Sequence, residues 1–241
     1  LQTLENIVTF SYKGASPALM GACADRGIGL AFCTPHGRFL ARVSGESRGN
    51  VLLRRRQYRL ADGEAERCSF ARDFITGKLH NSRVLLARAL RDHRMSIDEK
   101  AVSEAVQEMA GSIREARQAK DADNLRGIEG NAAHAYFSVF GELILQDKEH
   151  FAFHGRVKRP PDSPVNALLS FAYTMLAHDC ASALASVGLD AYVGFLHTDR
   201  AGRTSLALDL MEELRSIFAD RFVLTLINNR IIRASDFETQ E

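Results

Sequence analysis

The sequence of 241 residues predicts a mainly α-helical protein. A partial β-rich domain over residues 1–47 is expected to precede an all-helical domain over residues 48–241. Before residue 47, short apolar runs alternate with turn residues, a pattern typical of strands. After residue 48, apolar residues recur every three or four positions over long stretches, as on the buried side of a helix.

The N-terminal part contains three predicted strands, at residues 7–10, 28–32 and 39–43. Ser16-Pro17 predicts the start of a helix, and Gly27 predicts its end. Thr34-Pro-His-Gly37 predicts a turn before the third strand. Three strands and one helix are too few for a stable domain. Because the chain also begins without Met, we expect it to be a fragment whose earlier strands are missing.

Apolar periodicity then predicts helices over residues 65–93, around residues 101–109, and over residues 121–146. Pro160-Pro161 interrupts the chain. Ser163-Pro164 begins a helix that is expected to end at Gly188. This helix is apolar on nearly every side, which predicts that it is the central, buried helix of the domain.

A last helix is predicted from Leu206 to about Phe218, with Thr204 or Ser205 as its N-cap. Asp209 and Glu212 are three residues apart in this segment, so they share one helix face. Such a face either holds a divalent cation or is a solvated acidic surface. His197 precedes this helix by a short turn, and it is either a ligand or a structural residue.

The segment Gly127-Ile-Glu-Gly130 places Glu129 between two glycines inside a predicted helix. Each glycine costs a helix interior roughly 1 kcal/mol relative to alanine. Either a ligand phosphate or a neighbouring helix must approach closely there. Asn166, Ser170 and Tyr173 form a polar stripe on the apolar helix, and they either support the acidic cluster from behind or satisfy one another.

The amino-acid composition excludes several classes of protein. The chain is 46% hydrophobic and 25% charged, as in soluble globular proteins, and no apolar run of about 18 residues predicts a membrane span or a membrane partner. The cysteines lack the spacing of a zinc site or a disulfide framework, which favours free thiols in a reducing cytoplasm. They are Cys23, Cys33, Cys68 and Cys180.

The net charge of +1 does not indicate nucleic acid, but the distribution of charge is uneven. Five arginines and no acid lie between residues 48 and 59, and Arg156-Val-Lys158-Arg159 is a second basic segment. Each segment either contacts phosphates or forms a solvated face. Carboxylates with one imidazole suit Mg²⁺ or Mn²⁺. The residues alone therefore indicate no more than a metal-dependent enzyme of the nuclease type.

Four motifs occur in order: Gly127-Ile-Glu-Gly130, the segment from Arg159-Pro-Pro to Tyr173, Gly194-Phe-Leu-His197, and the segment from Leu206 to Arg215. Together they resemble the CRISPR-associated endonuclease/integrase, the larger of the two near-universal spacer-acquisition proteins. The segments at 11–20 and 34–42 resemble the version found in subtype I-C systems. The resemblance covers essentially the whole chain.

The resemblance implies a β-rich N-terminal domain that forms homodimers, followed by a helical catalytic domain. It implies that Glu129, His197 and Glu212 bind Mg²⁺ or Mn²⁺, with Asp209 as a further catalytic residue beside the ion or the attacking strand end. Family members bind a small ferredoxin-like partner and join a DNA 3′-hydroxyl to a repeat phosphodiester in prokaryotic cytoplasm. They carry further helical residues, so we expect the helical domain to be truncated at its end.

The candidates for DNA contact are Arg159, Arg203 and Tyr173, because the guanidinium group matches phosphate oxygens and an aromatic ring can meet a base. Asn166 and Ser170 are expected to support the metal ligands from behind. Two alternatives remain: a non-catalytic DNA-binding scaffold of the same complex, and a metal hydrolase that acts on a small phosphate ester.

Overall fold

The computed structural model describes residues 3–43, 45 and 50–238. Its first part is a three-stranded sheet in the order β1-β2-β3. Strand β1 (Asn6–Phe10) pairs in parallel with β2 (Gly29–Cys33), and helix α1 (Pro17–Arg26) connects them. Strand β3 (Phe39–Val43) is antiparallel to β2. Three strands, their helix and the turn at residues 34–37 are therefore confirmed.

Local sequence explains the ends of α1. Ser16 Oγ accepts a hydrogen bond from the Leu19 amide at 3.2 Å, and Pro17 occupies the first turn. Gly27 ends the helix with φ +68°, a left-handed conformation that favours glycine. The small core of this unit contains Cys23, Ile28 and Leu30. The predicted domain boundary after residue 47 and Arg48 of the first basic segment lie outside the described residues.

The helical part begins with α2 (Val51–Asp62) and the 30-residue α3 (Glu64–His93). These are followed by α4 (Glu99–Gln118), α5 (Ala122–Ser138) and α6 (Pro164–Ser186). Helix α7 (Ser205–Leu214) continues through a π-helical turn at Arg215–Asp220 into α8 (Arg221–Asn228). The prediction of a mainly α-helical protein with a small β-rich N-terminal part is confirmed.

The prediction that α6 is the central helix was wrong. Helix α3 has this place, since it packs against α2, α4, α5 and α7. Helix α6 has one side on the helical core and the other toward the sheet, where His178 stacks on Phe39 with ring centroids 4.0 Å apart. Phe171 on α6 remains 40% exposed. Helix α6 is thus apolar on both sides because it packs against the helical core on one side and lies toward the sheet on the other.

Two predicted helix ends were also wrong. Helix α5 ends at Ser138 and not at residue 146, because the chain turns through a 3₁₀ segment (Phe140–Leu143) that directs Phe140 into the core. The Asn228 side chain provides hydrogen-bond partners for the backbone of this turn. Its Oδ1 accepts from the Leu145 amide at 2.8 Å, and its Nδ2 donates to the Leu143 carbonyl at 2.9 Å. A distant residue therefore replaces the backbone hydrogen bonds that a longer helix would make.

The last helix does not stop near Phe218 but continues to Asn228 through the π-helical turn. The predicted cap is absent from α7 as well, since Thr204 makes no side-chain cap hydrogen bond. Ser205 Oγ instead donates to the Thr198 carbonyl at 3.2 Å. This contact connects the start of α7 to the turn that precedes it. Within the described ranges, none of the helices combines the length and apolarity needed to cross a membrane.

Candidate active site

The three predicted metal ligands lie at one cleft. Glu129 on α5, His197 in the link before α7, and Glu212 on α7 all line a cavity of about 270 Å³. The other residues that line it are Arg126, Leu196, Thr198 and Arg203. Two carboxylates, an imidazole and two guanidinium groups thus meet at one concave surface, although α5 and α7 are far apart in sequence.

The two glycines around Glu129 do not serve close helix packing. A Cβ atom at Gly127 or Gly130 would meet nothing within 4 Å. The helix-packing explanation is therefore wrong. Space is left open on α5 next to Glu129, as the approach of a ligand would require.

Asp209 fixes the conformation of the loop that carries His197. Its carboxylate is fully buried, and Oδ2 accepts hydrogen bonds from the backbone amides of Phe195 at 2.6 Å and Leu196 at 3.0 Å. Oδ1 accepts from the His197 amide at 3.0 Å and lies 2.6 Å from His197 Nδ1. A Cβ atom at Gly194 would lie 2.8 Å from Asp209 Oδ2, so only glycine allows the loop to come this close.

The same contact determines which nitrogen of His197 can act in the cleft. A carboxylate only accepts hydrogen bonds, so Nδ1 is the donor in this contact and Nε2 is the nitrogen left for a ligand. This is the usual arrangement of a histidine ligand held by a carboxylate. Asp209 lies behind His197, with its carboxylate turned to the backbone amides of the loop. It is a positioning residue in this geometry.

Glu212 is buried between two cations. Its Oε1 lies 2.8 Å from Arg215 Nη2, and its Oε2 lies 2.7 Å from Lys78 Nζ. Burial opposes ionisation, but the charges of Lys78 and Arg215 outweigh it and lower the pKa of Glu212. Each carboxylate oxygen is therefore paired with a cation, and the lowered pKa keeps Glu212 ionised.

Lys78 on α3 also forms an ion pair with Glu129. Its side chain is only 12% exposed and lies between the two carboxylates. Over the described ranges, no three His, Cys, Asp or Glu side chains form a ready-made metal site. The donor set still fits a divalent ion, because two carboxylates and one imidazole are hard-to-borderline ligands.

The acidic face of α7 is not a solvated surface. Asp209, Glu212, Ser216 and Asp220 are all buried. Glu213 points elsewhere, since its side chain packs against Gly77 of α3 and its carbonyl accepts from Asn81 Nδ2 at 2.7 Å. The cation explanation for the spacing of Asp209 and Glu212 is only partly right, because Asp209 is satisfied by backbone amides.

Tyr173, a predicted DNA contact, is buried and its hydroxyl donates to Asp220 Oδ1 at 2.6 Å. Its ring lies between Arg215 and Arg156, whose Cζ atoms are 4.9 and 5.4 Å from the ring centroid. This side chain is directed into the helical core, a position that does not support the predicted DNA contact. Tyr173 supports Arg215, the partner of Glu212, from behind.

Asn166 and Ser170 do not contact the metal ligands. Asn166 Oδ1 and Ser170 Oγ each accept from an Arg156 guanidinium nitrogen at 2.9 Å. Asn166 Nδ2 donates to the Gly155 carbonyl at 2.9 Å. The expected support is therefore indirect: these two side chains hold Arg156, which lies over Tyr173. The direct supports of Glu212 are Lys78 and Arg215, which the sequence interpretation missed.

Asp220 forms a separate buried site beneath the cleft. Tyr136 donates to its Oδ2 at 2.7 Å, and Tyr173 donates to Oδ1. Burial raises the pKa of Asp220 to about 6, although both tyrosine hydroxyls and the nearby cations oppose this shift. Two hydroxyl donors on one buried carboxyl explain why this acid tolerates complete burial.

Both arginines predicted to contact DNA remain candidates. Arg203 lines the cleft, and its guanidinium donates to Thr198 Oγ1 at 3.0 Å. Arg159 is exposed. Its neighbour Lys158 borders the same charged cluster: although much of Lys158 is exposed, partial burial together with Arg215 and Arg156 lowers its pKa. A positive rim therefore surrounds the carboxylates.

Comparison with known proteins gives a consistent result. The family model described as "CRISPR associated protein Cas1" matches residues 1–241. The chain is 52% identical to CRISPR-associated endonuclease Cas1 1 of Chlorobaculum tepidum, over 100% of this chain and 70% of that relative.

Solved structures share the fold. A casposase bound to integration product has a TM-score of 0.82 at 24% identity, over 98% of this chain and 64% of its own. A chain of a partial Cas6-RT-Cas1–Cas2 complex has a TM-score of 0.74 at 24% identity, over 100% of this chain and 70% of its own.

Proposed function

This chain belongs to the CRISPR-associated Cas1 family, and on that premise we propose that it is a metal-dependent DNA endonuclease and integrase that inserts spacers into CRISPR arrays. The reaction is attack of a DNA 3′-hydroxyl on a phosphodiester of the repeat. The observation that carries the proposal is the convergence of Glu129, His197 and Glu212 on one cleft with a positive rim.

The ligands proposed for the ion are the carboxylates of Glu129 and Glu212 and Nε2 of His197. When bound, Mg²⁺ or Mn²⁺ would polarise the phosphoryl oxygen, lower the pKa of the attacking hydroxyl and stabilise the leaving oxygen. Asp209 keeps the His197 proton on Nδ1, as its 2.6 Å contact requires. Arg215 and Tyr173 hold Glu212 in its buried orientation, as the ion pair and the cation–π contact indicate.

Arg203 and Arg159 are proposed to hold the DNA backbone. Arg203 lies at the cleft itself and Arg159 belongs to the basic segment that borders it. Guanidinium groups bind phosphate oxygens through two parallel hydrogen bonds, so they can orient a strand without reading its sequence. DNA affinity should then fall steeply as salt rises.

The non-catalytic scaffold is less well supported. A scaffold has no need of two carboxylates beside one imidazole in a cleft, because like charges brought together away from water cost stability. Glu129 and Glu212 line the same cavity as His197. This convergence favours a ligand-binding role.

The assembly and setting of the protein are proposals from family membership. We assign it a homodimer formed through the N-terminal domain, a small ferredoxin-like partner, double-stranded DNA as substrate, and the prokaryotic cytoplasm as location. Among the solved structures of the same fold, one is a casposase bound to integration product and another belongs to a partial Cas6-RT-Cas1–Cas2 complex. The segments at 11–20 and 34–42 are the support for a subtype I-C origin.

The decisive experiment is transfer of a labelled short duplex into a repeat-bearing plasmid, with Mn²⁺ and the partner protein. Glu129→Ala, His197→Ala and Glu212→Ala should each abolish joining, and Glu213→Gln, a change at the adjacent carboxylate outside the cleft, should preserve it. Circular dichroism must show that each variant is folded. Joining that survives all three alanine changes would exclude this site, and tight DNA binding without joining by the unmodified protein would favour the scaffold.

A further inference from the structure

Lys78 is a buried cation beside the cleft, and the proposed chemistry leaves its role unexplained. It lies on the central helix α3, and its ammonium forms ion pairs with both Glu129 and Glu212. These are two of the three proposed metal ligands, carried by different helices. One buried cation therefore lies where the carboxylates converge.

The backbone fixes this arrangement from the side of α3. Gly77 lets α7 approach closely, since a Cβ atom there would lie 2.9 Å from Glu213 Oε2 and 3.1 Å from Glu213 Cβ. One turn further along α3, Asn81 Nδ2 donates to the Glu213 carbonyl at 2.7 Å. The adjacent residue, Lys78, is thereby held beside Glu212, so its ion pairs follow from the packing of two helices.

Charge balance indicates what Lys78 does. Glu129 and Glu212 would repel each other in a poorly solvated cleft, and a buried unpaired carboxylate is strongly destabilising. Arg215 compensates only Glu212, through Oε1. Lys78 is the cation in the described cleft that contacts both carboxylates. It satisfies the same electrostatic need as a divalent ion between the same oxygens.

We propose that Lys78 is a resident counter-cation that holds Glu129 and Glu212 together in the metal-free protein and is displaced when the divalent ion binds. This inference rests on the proposed metal-dependent function, because it assigns the same two carboxylates to the ion. Metal binding then requires the loss of two ion pairs, so Lys78 weakens metal affinity while it stabilises the metal-free fold.

The first test is Mn²⁺ binding measured by isothermal titration calorimetry on Lys78→Met, Lys78→Arg and the unmodified protein. Removing the competing cation should lower the Kd for Mn²⁺ about tenfold in Lys78→Met, and Lys78→Arg should keep the original affinity. Lys100→Met, at an exposed lysine on α4, is the control for loss of one positive charge. Weaker or unchanged Mn²⁺ binding in Lys78→Met would overturn the proposal.

Thermal unfolding gives a readout that activity does not influence. In EDTA, Lys78→Met should melt at a lower temperature than the unmodified protein, and saturating Mn²⁺ should raise its Tm by a larger amount. A lysine that only fills space would change the Tm equally with and without Mn²⁺. That outcome would also contradict the proposal.

The unmodified protein provides an independent test if Lys78→Met does not fold. An amine-reactive reagent followed by mass spectrometry should label Lys78 poorly in EDTA, and labelling should rise in Mn²⁺ while that of Lys100 stays constant. Unchanged labelling of Lys78 would exclude displacement. If neither the unmodified protein nor Lys78→Met binds Mn²⁺, the proposed function fails; if Mn²⁺ binds through Glu129 but labelling is unchanged, only the Lys78 inference fails.

Discussion

Glu212 and Asp220 are buried carboxyl groups on one continuous helical segment, yet their surroundings are opposite. Glu212 faces a cleft, pairs with Lys78 and Arg215, and has a lowered pKa. Asp220 lies beneath, accepts from Tyr136 and Tyr173, and has a pKa raised to about 6. Burial alone therefore does not determine the charge of an acid here. Two cations lower the pKa of Glu212, whereas two hydroxyl donors do not overcome the effect of burial on the pKa of Asp220.

The largest expected effect concerns Glu212, the member of this pair that lines the cleft. Glu212→Gln keeps the shape of the side chain but removes the charge that a divalent ion needs. Mn²⁺-dependent strand transfer should fall by about 10³-fold or more, and the urea unfolding midpoint should also fall, because Lys78 and Arg215 lose their negative partner. Glu213→Gln is the matched control. An active Glu212→Gln protein would remove the basis for treating Glu212 as a ligand.

The next effect concerns a saturated carboxylate. Asp209→Ala leaves three backbone amides and His197 Nδ1 without their acceptor. The free energy of unfolding should drop by about 3–5 kcal/mol. Urea unfolding followed by circular dichroism measures it. A loss below about 1 kcal/mol would mean that water or another acceptor replaces the carboxylate.

Asp220 predicts a pH dependence of stability. Its pKa is raised from 3.8 to about 6 in the fold, so the unfolded chain loses this proton at lower pH. The free energy of unfolding therefore falls as pH rises from about 4 to about 6, by up to about 3 kcal/mol, and stays lower above that window.

The matched variant is Asp220→Asn, which does not titrate in this range. Its free energy of unfolding, measured at several pH values, should change less than that of the unmodified protein between pH 4 and 6. Parallel pH profiles for the two proteins would show that Asp220 does not titrate in this window.

The smallest expected effects concern two residues that were predicted to contact DNA: Arg203, which lines the cleft, and Tyr173, which is buried. Arg203→Gln should weaken duplex binding several-fold and reduce its salt dependence, because one phosphate contact is lost. Tyr173→Phe should leave DNA affinity unchanged and cost about 1 kcal/mol of stability, since it removes only the hydroxyl bond to Asp220. Fluorescence anisotropy at several salt concentrations measures both. A Tyr173→Phe protein with weaker DNA binding would restore the original prediction for this residue.

The sequence determined a good part of the fold because the signals involved are local. Ser16, Pro17 and Gly27 bound α1 as predicted, and the apolar period over 65–93 matches α3 closely. Two predicted helix ends failed where distant residues or an irregular turn intervene. Asn228 stabilises the turn that follows α5 by accepting from the Leu145 amide, and the π-helical turn joins α7 to α8. Neither has a signal within a few residues of the affected segment.

The sequence by itself made Glu129, His197 and Glu212 candidates, and the family resemblance proposed them as one ligand set. Only the tertiary structure decided which partners each buried acid has. It turned Tyr173 inward, assigned Asn166 and Ser170 to Arg156, and brought Lys78 to the two carboxylates. The physical reason is that satisfaction of a buried charge depends on partners from other helices, and periodicity along one helix carries no information about them.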